Sequence, residues 1–598
     1  MSGIAGLIDY SSLPLQEQGQ MLSAANAHRG TDDRGAYSKG PALFSQRTFI
    51  SLGHDRKGPI THEEWIFSID SRCYSHSNEQ LAKLWVERGP AGLEELNGTF
   101  SVAAWNPLEK KLYLFRSMDG SRPLFWTKRG SKIAFSSEIP PLLRLPWVKK
   151  ELALEHLAEQ LSFRYVHAPR TLLQGIYSVP AGHVVILSKE SSELRKWHHS
   201  VWSSIDSKSP STNDILDQID TLMHQSVERR LAGKDPVGIL LSGGLDSSSI
   251  LYHACTLQDP PPTFTVSLEG AIQSEASFAA RISKLMGAEN HEIHVRKKEF
   301  IEAFDEATLC MGQPLPTAAG VVQFILFKKL RSSIRVLLSG DGGDEVFGGR
   351  SMPYLAARIA RAKQISQLPY LAQRMIRKAA QKTGNRDLLA RYAQFGMDRS
   401  IGASRIFLAP DRVDILSDTG LVRPGIRKTV LTPMYQEIDS DPINEILYVW
   451  QRGWLIEDSL MRADRSSAHS GIELRYPMLD TSLMRYAAQI PGSLKVYREN
   501  LDYVGKWPLR RLLHKRIPQQ LLNRPKRTWL QPLDRWLLEE GKTFLQRQVD
   551  GICNDLPHLF VGSMVKRLQK EHIKGVRNHG LRLWTLILFY KWWKNTIY

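Results

Sequence analysis

Residues 242–248 read Ser-Gly-Gly-Leu-Asp-Ser-Ser and follow the apolar run Val237-Gly238-Ile239-Leu240-Leu241. A glycine-rich turn leaving a buried strand presents backbone N–H groups to a phosphate, and the N-terminal end of a following helix favours an anion there. Ser242, Ser247 and Ser248 add hydroxyls, and Gly243 and Gly244 permit close approach. The lysine of a GxxxxGK[ST] loop is missing, so Asp246 is expected to work through Mg²⁺ held against a polyphosphate. The segment is an ATP loop.

A second loop carries matching chemistry. Arg335-Val-Leu-Leu-Ser-Gly-Asp-Gly-Gly-Asp-Glu-Val-Phe-Gly-Gly places Asp341, Asp344 and Glu345 among glycines that allow unusual backbone angles. Carboxylates beside an ATP loop repel it unless a cation intervenes, which pairs Asp246 with Asp344 around Mg²⁺. A third cluster, Glu457-Asp458-Ser459-Leu460-Met461-Arg462-Ala463-Asp464-Arg465, runs on to Ile472-Glu473-Leu474-Arg475-Tyr476-Pro477-Met478-Leu479-Asp480. Its charges stand among apolar residues, which fits buried ion pairs as well as a site. The fourth cluster is Asn523-Arg524-Pro525-Lys526-Arg527, whose Lys526 can neutralise charge developing on a phosphate or tetrahedral centre.

These loops need strands behind them. Alternation predicts helix 214–232, strand 237–241, helix 248–256, strand 263–268, helix 275–286, strand 290–295, helix 321–331 and strand 335–338. That pattern gives a parallel sheet with ligands at the carboxyl ends of its strands. Residues 1–190 read instead as short strands between turns, for example 101–105, 111–115 and 183–187. Residues 203–213 read as a linker, and from about 352 the chain is helical and basic. The apolar stretch 583–593 is too short for a bilayer and contains Lys591, so it is expected to be a core helix.

The 598-residue length exceeds one ordinary domain. Cys73, Cys255, Cys310 and Cys553 lack metal or disulfide spacing, and no secretory signal is visible, so a reducing cytoplasm is expected. Net charge is +18, and residues 501–598 carry 19 Lys+Arg against 7 Asp+Glu. This favours polyanions such as ATP, pyrophosphate or an acidic peptide, and equally fits a solvated surface. No nucleic-acid motif or dense basic arm is present.

The two loops, the 464–480 block and Arg524-Pro525-Lys526 resemble the asparagine synthetase family. So do Ser-Gly-Ile-Ala-Gly at 2–6, His-Arg-Gly-Thr-Asp-Asp at 28–33, Leu96-Asn97-Gly98-Thr99-Phe100 and Phe135-Ser-Ser-Glu138. The resemblance is colinear over nearly the whole chain. It implies an α/β multidomain protein: an Ntn-type α/β/β/α glutaminase-like domain at 1–200 and a PP-loop ATP pyrophosphatase domain at 214–598. The implied chemistry is carboxylate adenylation, release of pyrophosphate and attack by an amine. Leu241, Ser242, Gly243, Gly244, Asp246, Ser247, Ser248, Ser339 and Gly340 would hold the nucleotide. Asp246 and Asp344 would share Mg²⁺, while Asp341, Glu345 and Lys526 would serve catalysis.

Departures from the family direct the functional reading. The family's nucleophilic cysteine is replaced by Ser2, which can itself act as an N-terminal nucleophile. The family stretch Asn-Gly-Glu-Ile-Tyr-Asn aligns with Asp70-Ser71-Arg72-Cys73-Tyr74-Ser75, and an acidic Asp70 repels the oxyanion that an amide would stabilise. The glutaminase domain is therefore expected to be inactive. The amine would then come from the substrate itself, as in lasso-peptide cyclases, from free ammonia, or from a β-lactam-type ring closure. Asp341 stands where the β-lactam branch has tyrosine, and the retained Glu345 also opposes that branch. Gly312-Gln313-Pro314 replaces the family Asp-Glu-Pro, Ser274-Glu275 replaces Asp-Glu, and Arg462 replaces lysine, all consistent with a changed acyl substrate. The leading expectation is a macrolactam synthetase acting on a precursor peptide, beside a leader-binding protein and a leader protease. A silent scaffold would need a damaged ATP loop, and both loops are intact.

Overall fold

A computed structural model describes residues 1–598 except 12–15, 53–56, 199–201, 203–210, 272–274, 350–351, 358, 360–367, 370, 373–374, 376–405, 501, 523–529 and 540. The N-terminal part is built from two six-stranded antiparallel sheets. Strand Gly3–Asp9 lies in the first sheet, between Ala42–Thr48 and Lys132–Ser136. Strand Trp65–Cys73 lies in the second, beside Gly98–Asn106. Period-two alternation decides what each face meets. Ile66 joins a core with Ile4, Phe44 and Trp105. Phe67 and Ile69 instead pack with Leu81 and Trp85 of helix Asn78–Arg88. Ser68, Asp70 and Arg72 share the parity of Ile66, so polar groups prolong that face toward the start of the chain.

The C-terminal part holds a five-stranded sheet whose paired strands all run parallel. Counted along the chain its strands are Val237–Leu240, Thr263–Leu268, Asn290–Val295, Val336–Leu338 and Glu473–Arg475, in spatial order 3-2-1-4-5. The order reverses between the first and fourth strands, which opens a ligand crevice at their carboxyl ends. Both glycine-rich loops emerge there. The protein is thus an α/β multidomain molecule: an Ntn-type sandwich followed by a parallel-sheet synthetase unit with a largely helical C-terminal portion.

Several boundaries differ from the sequence reading. The helix expected from 248 begins at Leu245, with Gly244 as its N-cap, which puts Asp246, Ser247 and Ser248 in its first turn. Helix Lys297–Leu309 and strand Glu473–Arg475 had no counterpart in that reading. The region expected to be helical also contains the hairpin Val496–Glu499 and Asp502–Gly505. Most of the expected linker, 203–210, lies outside the described residues, and helix Thr212–Leu231 starts inside it with Ser211 as cap. Helix Gly580–Thr596 is buried along most of its length, and among the described residues no helix is long and apolar enough to cross a membrane.

Candidate active site

The first loop is shaped by its own hydroxyls. The Leu241 N–H is tied to the Phe264 carbonyl at 2.9 Å, ending the strand beneath the surface. Gly243 turns with φ +70°, and an added Cβ would press on the Ala279 backbone. The Ser242 hydroxyl accepts from the Gly244 N–H at 3.2 Å, and the Ser247 hydroxyl donates to the Gly244 carbonyl at 3.3 Å. Ser247 and Ser248 are both buried in the first turn of the helix.

The second loop packs directly on the first. A Cβ on Gly340 or Gly343 would strike Asp246, and one on Gly349 would overlap Asp344 and Lys506, so glycine is required for the approach. Gly342 has φ +93°, a left-handed conformation that side chains disfavour. The Asp341 carboxylate accepts from the Ser339 hydroxyl at 2.6 Å and from the Ser459 hydroxyl at 2.8 Å. Glu345 is buried, and its carbonyl accepts from the Gln451 amide at 3.0 Å.

Asp246 and Asp344 converge as the two sequences suggested, but a side chain stands between them. Lys506 Nζ contacts Asp246 Oδ2 and lies 2.6 Å from Asp344 Oδ1. Burial opposes the ammonium charge, yet the two carboxylates more than offset it and hold Lys506 above the usual lysine range. The sequence reading assigned this place to Mg²⁺ alone. Its chemistry suits a hard cation: two oxygen anions from protein, with phosphate oxygens and water left to complete the shell. Among the described residues no group of three or more His, Cys, Asp or Glu side chains forms a metal cage.

The third cluster consists of buried ion pairs around a π-helix, Gln451–Leu460. Asp458 receives Arg462 at 2.7 Å and Arg164 at 3.4 Å. Burial pushes the Glu457 carboxyl up, against the opposing charge of Arg116. Asp480 caps helix Thr481–Gln489 and pairs with Arg229 and Arg230, each at 2.9 Å. From the same π segment Ser459 reaches Asp341. Lys526 lies outside the described residues, as does Ser274. Gly312 sits against Pro140, its carbonyl accepting from the Trp592 indole at 3.2 Å, with Gln313 half-buried beside it.

The place expected for a glutaminase centre is filled by charge. The Ser2 N–H donates to Asp70 Oδ1 at 3.3 Å, and its hydroxyl accepts from the Phe49 N–H at 3.1 Å. Asp70 is fully buried, with Arg29 at 3.6 Å and Arg122 at 4.0 Å. Arg29 also binds Glu138 and Asp464, both at 2.8 Å, and so crosses to the synthetase part. Arg72 bonds Glu473 and donates to the carbonyls of Ser71 at 2.6 Å and Phe49 at 2.8 Å.

Sequence reasoning gave Lys506 and Gln451 no place at the site, and Ser459 no role beyond membership of the third cluster. Lys506 had one local signal, the Trp507-Pro508 pair that opens helix Trp507–His514. Two glycine- and serine-rich loops at adjacent strand ends, with one acidic pair on a buried lysine, stand beside an amidotransferase-type sandwich, the build of an ATP-dependent carbon–nitrogen ligase. The Asparagine synthase family profile matches residues 218–595 and the Glutamine amidotransferase domain profile matches 68–198. The chain belongs to the asparagine synthase family.

Relatives match most of the chain's length. A Bacillus subtilis protein named asparagine synthetase [glutamine-hydrolyzing] 1 is 24% identical, covering 99% of this chain and 96% of its own. A Mycobacterium bovis protein, assigned by its name to the glutamine-hydrolyzing asparagine synthetases, is 28% identical over 94% of this chain and 91% of its own. The protein named amidase chry2 from Gibberella zeae is 23% identical over 85% of this chain and 84% of its own.

Proposed function

We propose that this ligase closes a macrolactam: it adenylates a side-chain carboxylate of a precursor peptide and joins it to the peptide's N-terminal amine. The observation that carries the reading is Asp70, buried where the family stretch has an amide-bearing residue and already occupied by Ser2 and Arg29. A carboxylate at that point repels a developing oxyanion, and loss of one such donor costs about 10²–10³ in rate. The amine then has to arrive by another route, and a substrate-borne amine meets that need without a second reactant.

In this scheme Ser242, Gly243, Gly244 and Ser247 cradle the leaving pyrophosphate of ATP, with Ser339 and Gly340 on the opposite wall. Asp246 and Asp344 would hold Mg²⁺, which neutralises phosphate charge when bound. Lys506 supplies a fixed positive charge at the same place. The peptide carboxylate attacks the α-phosphorus, a step promoted by alignment and charge neutralisation. Asp341, oriented by two hydroxyls, takes the proton as the amine attacks the acyl adenylate and AMP departs. An N-terminal amine titrates near about 8, so a modest base suffices at neutral pH. Lys526 is assigned to stabilising the tetrahedral centre. A leader-binding protein, a leader protease and a cytoplasmic location complete the proposal.

The test supplies the full chain with ATP–Mg²⁺ and candidate precursor peptides while AMP, pyrophosphate and product mass are followed. A peptide lighter by one water supports cyclisation. Asparagine from aspartate and ammonium would replace it with ammonia-dependent synthesis, and substantial glutamate release from glutamine would overturn the inactive glutaminase.

A further inference from the structure

The ATP loop is held within its own sheet, whereas the contacts that hold Asp341 run on to the N-terminal sandwich. Its two hydroxyl partners adjoin elements that the sandwich binds: strand Glu473–Arg475 beside Ser339, and the helix that follows Ser459. The Ser339 N–H donates to the Arg475 carbonyl at 2.9 Å, so the fifth strand, Glu473–Arg475, sets where the loop begins. That strand is three residues long, lies at the edge of the sheet and, among the described residues, pairs with Val336–Leu338 alone. So short an edge strand carries little stability of its own. Its Glu473 side chain is fully buried and bound by Arg72, with the Ser51 hydroxyl at 3.3 Å, both from the sandwich. Burial alone would raise the Glu473 carboxyl, but Arg72 and Arg475 hold it well below the carboxylate range.

Ser459 is secured in the same manner. Helix Met461–His469 follows it directly, and Arg29 takes Asp464 of that helix with hydrogen bonds of 2.8 and 3.0 Å. Removing one member of a buried pair leaves an uncompensated charge, so these contacts resist slippage strongly.

We propose that Arg72 is a positioning residue for the amide-forming step. Through Glu473 and the Arg475 carbonyl it fixes Ser339, and through Ser339 it orients the Asp341 carboxylate. A sandwich that no longer serves glutamine is retained because it aims the second loop. This rests on the reading of Asp341 as the base above.

Arg72→Met and Glu473→Gln, each in the full chain, test it by amide hydrogen exchange, ATP–pyrophosphate exchange and amide product. Exchange is expected to rise at 336–341 and 473–475 while 242–248 stays protected. Amide formation is expected to fall by up to about 10²-fold, the cost of a 1 Å misplacement, with ATP–pyrophosphate exchange nearly kept. Arg72→Lys, which retains the charge, is expected to recover part of the loss. Unchanged protection at 336–341 in both soluble variants overturns the proposal, as does equal loosening of both loops. If the unaltered chain forms no amide from any peptide supplied, the macrolactam reading fails, and the hydrogen-exchange pattern alone still decides the role of Arg72.

Discussion

Two charged centres lie on either side of the domain boundary, and they are built on opposite logic. Around Ser2 and Asp70, buried arginines are shared among the carboxylates: Arg29 alone serves Asp70, Glu138 and Asp464. At the strand ends, Asp246 and Asp344 share one lysine, and glycines at 340, 343 and 349 keep bulk away from them. The first arrangement has spent its charge on holding two domains together. The second keeps an anion pair beside a cradle of N–H groups, with a cation that phosphate oxygens can share. Buried ionic groups therefore do not by themselves announce a site; what surrounds them decides.

The contrast is most sharply broken at Lys506. Lys506→Met leaves two adjacent carboxylates without their cation and should cost about 3–5 kcal/mol of stability, read by urea unfolding. Added Mg²⁺ should raise the melting temperature of this variant more than that of the unaltered chain. Equal response in both would remove the carboxylate pair as a cation site. Next in size, Asp341→Asn should slow amide formation by about 10²-fold or more while pyrophosphate release persists, and matched loss of the two steps would end its role as base.

Lys495 supplies an intermediate case, a buried amine with a hydrogen bond to Asn444 at 2.7 Å, where the opposing charge of Asp441 is too weak to offset burial. Burial drives it down to about 7, whereas an unfolded lysine titrates near about 10.4. Between those values the unfolded chain binds a proton that the folded chain does not, so stability climbs with pH across that window. Lys495→Met should flatten the climb in unfolding curves taken from pH 7 upward. The smallest effect is expected at the arginine-lined centre: Ser2→Ala should leave ATP-dependent amide formation unchanged, and a marked fall would give Ser2 a part in the chemistry.

The sequence was most readable where pattern and chemistry coincided. Strands Thr263–Leu268 and Asn290–Val295 match their apolar and turn signals to the residue. The pairing of Asp246 with Asp344 was inferable because two acidic loops at neighbouring strand ends must share a cation. Glu473–Arg475 was not readable as a strand, because alternating charge normally marks a surface; here Glu473 is buried against Arg72 of the other domain and against Arg475 of its own strand. Lys506 was equally hidden. It is one lysine in a basic stretch, brought to the loops by a hairpin whose packing against Gly348 has no local signal. Helix Lys297–Leu309 escaped for a plainer reason: its charged first turn, Lys297-Lys298-Glu299, disguises the apolar face formed by Phe300, Ala303, Phe304 and Ala307.

The π-helix Gln451–Leu460 ties function to the number of residues in the chain. Wide turns of this kind are rare and persist where a side chain has to be aimed. Deleting one residue there would let the segment relax toward ordinary helical pitch and rotate one end against the other by about 100°. Either Ser459 would then turn from Asp341, or Gln451 from the Glu345 carbonyl. A stretch of ten residues with no glycine-rich loop of its own should thus reject every single-residue deletion, while tolerating many substitutions of equal length.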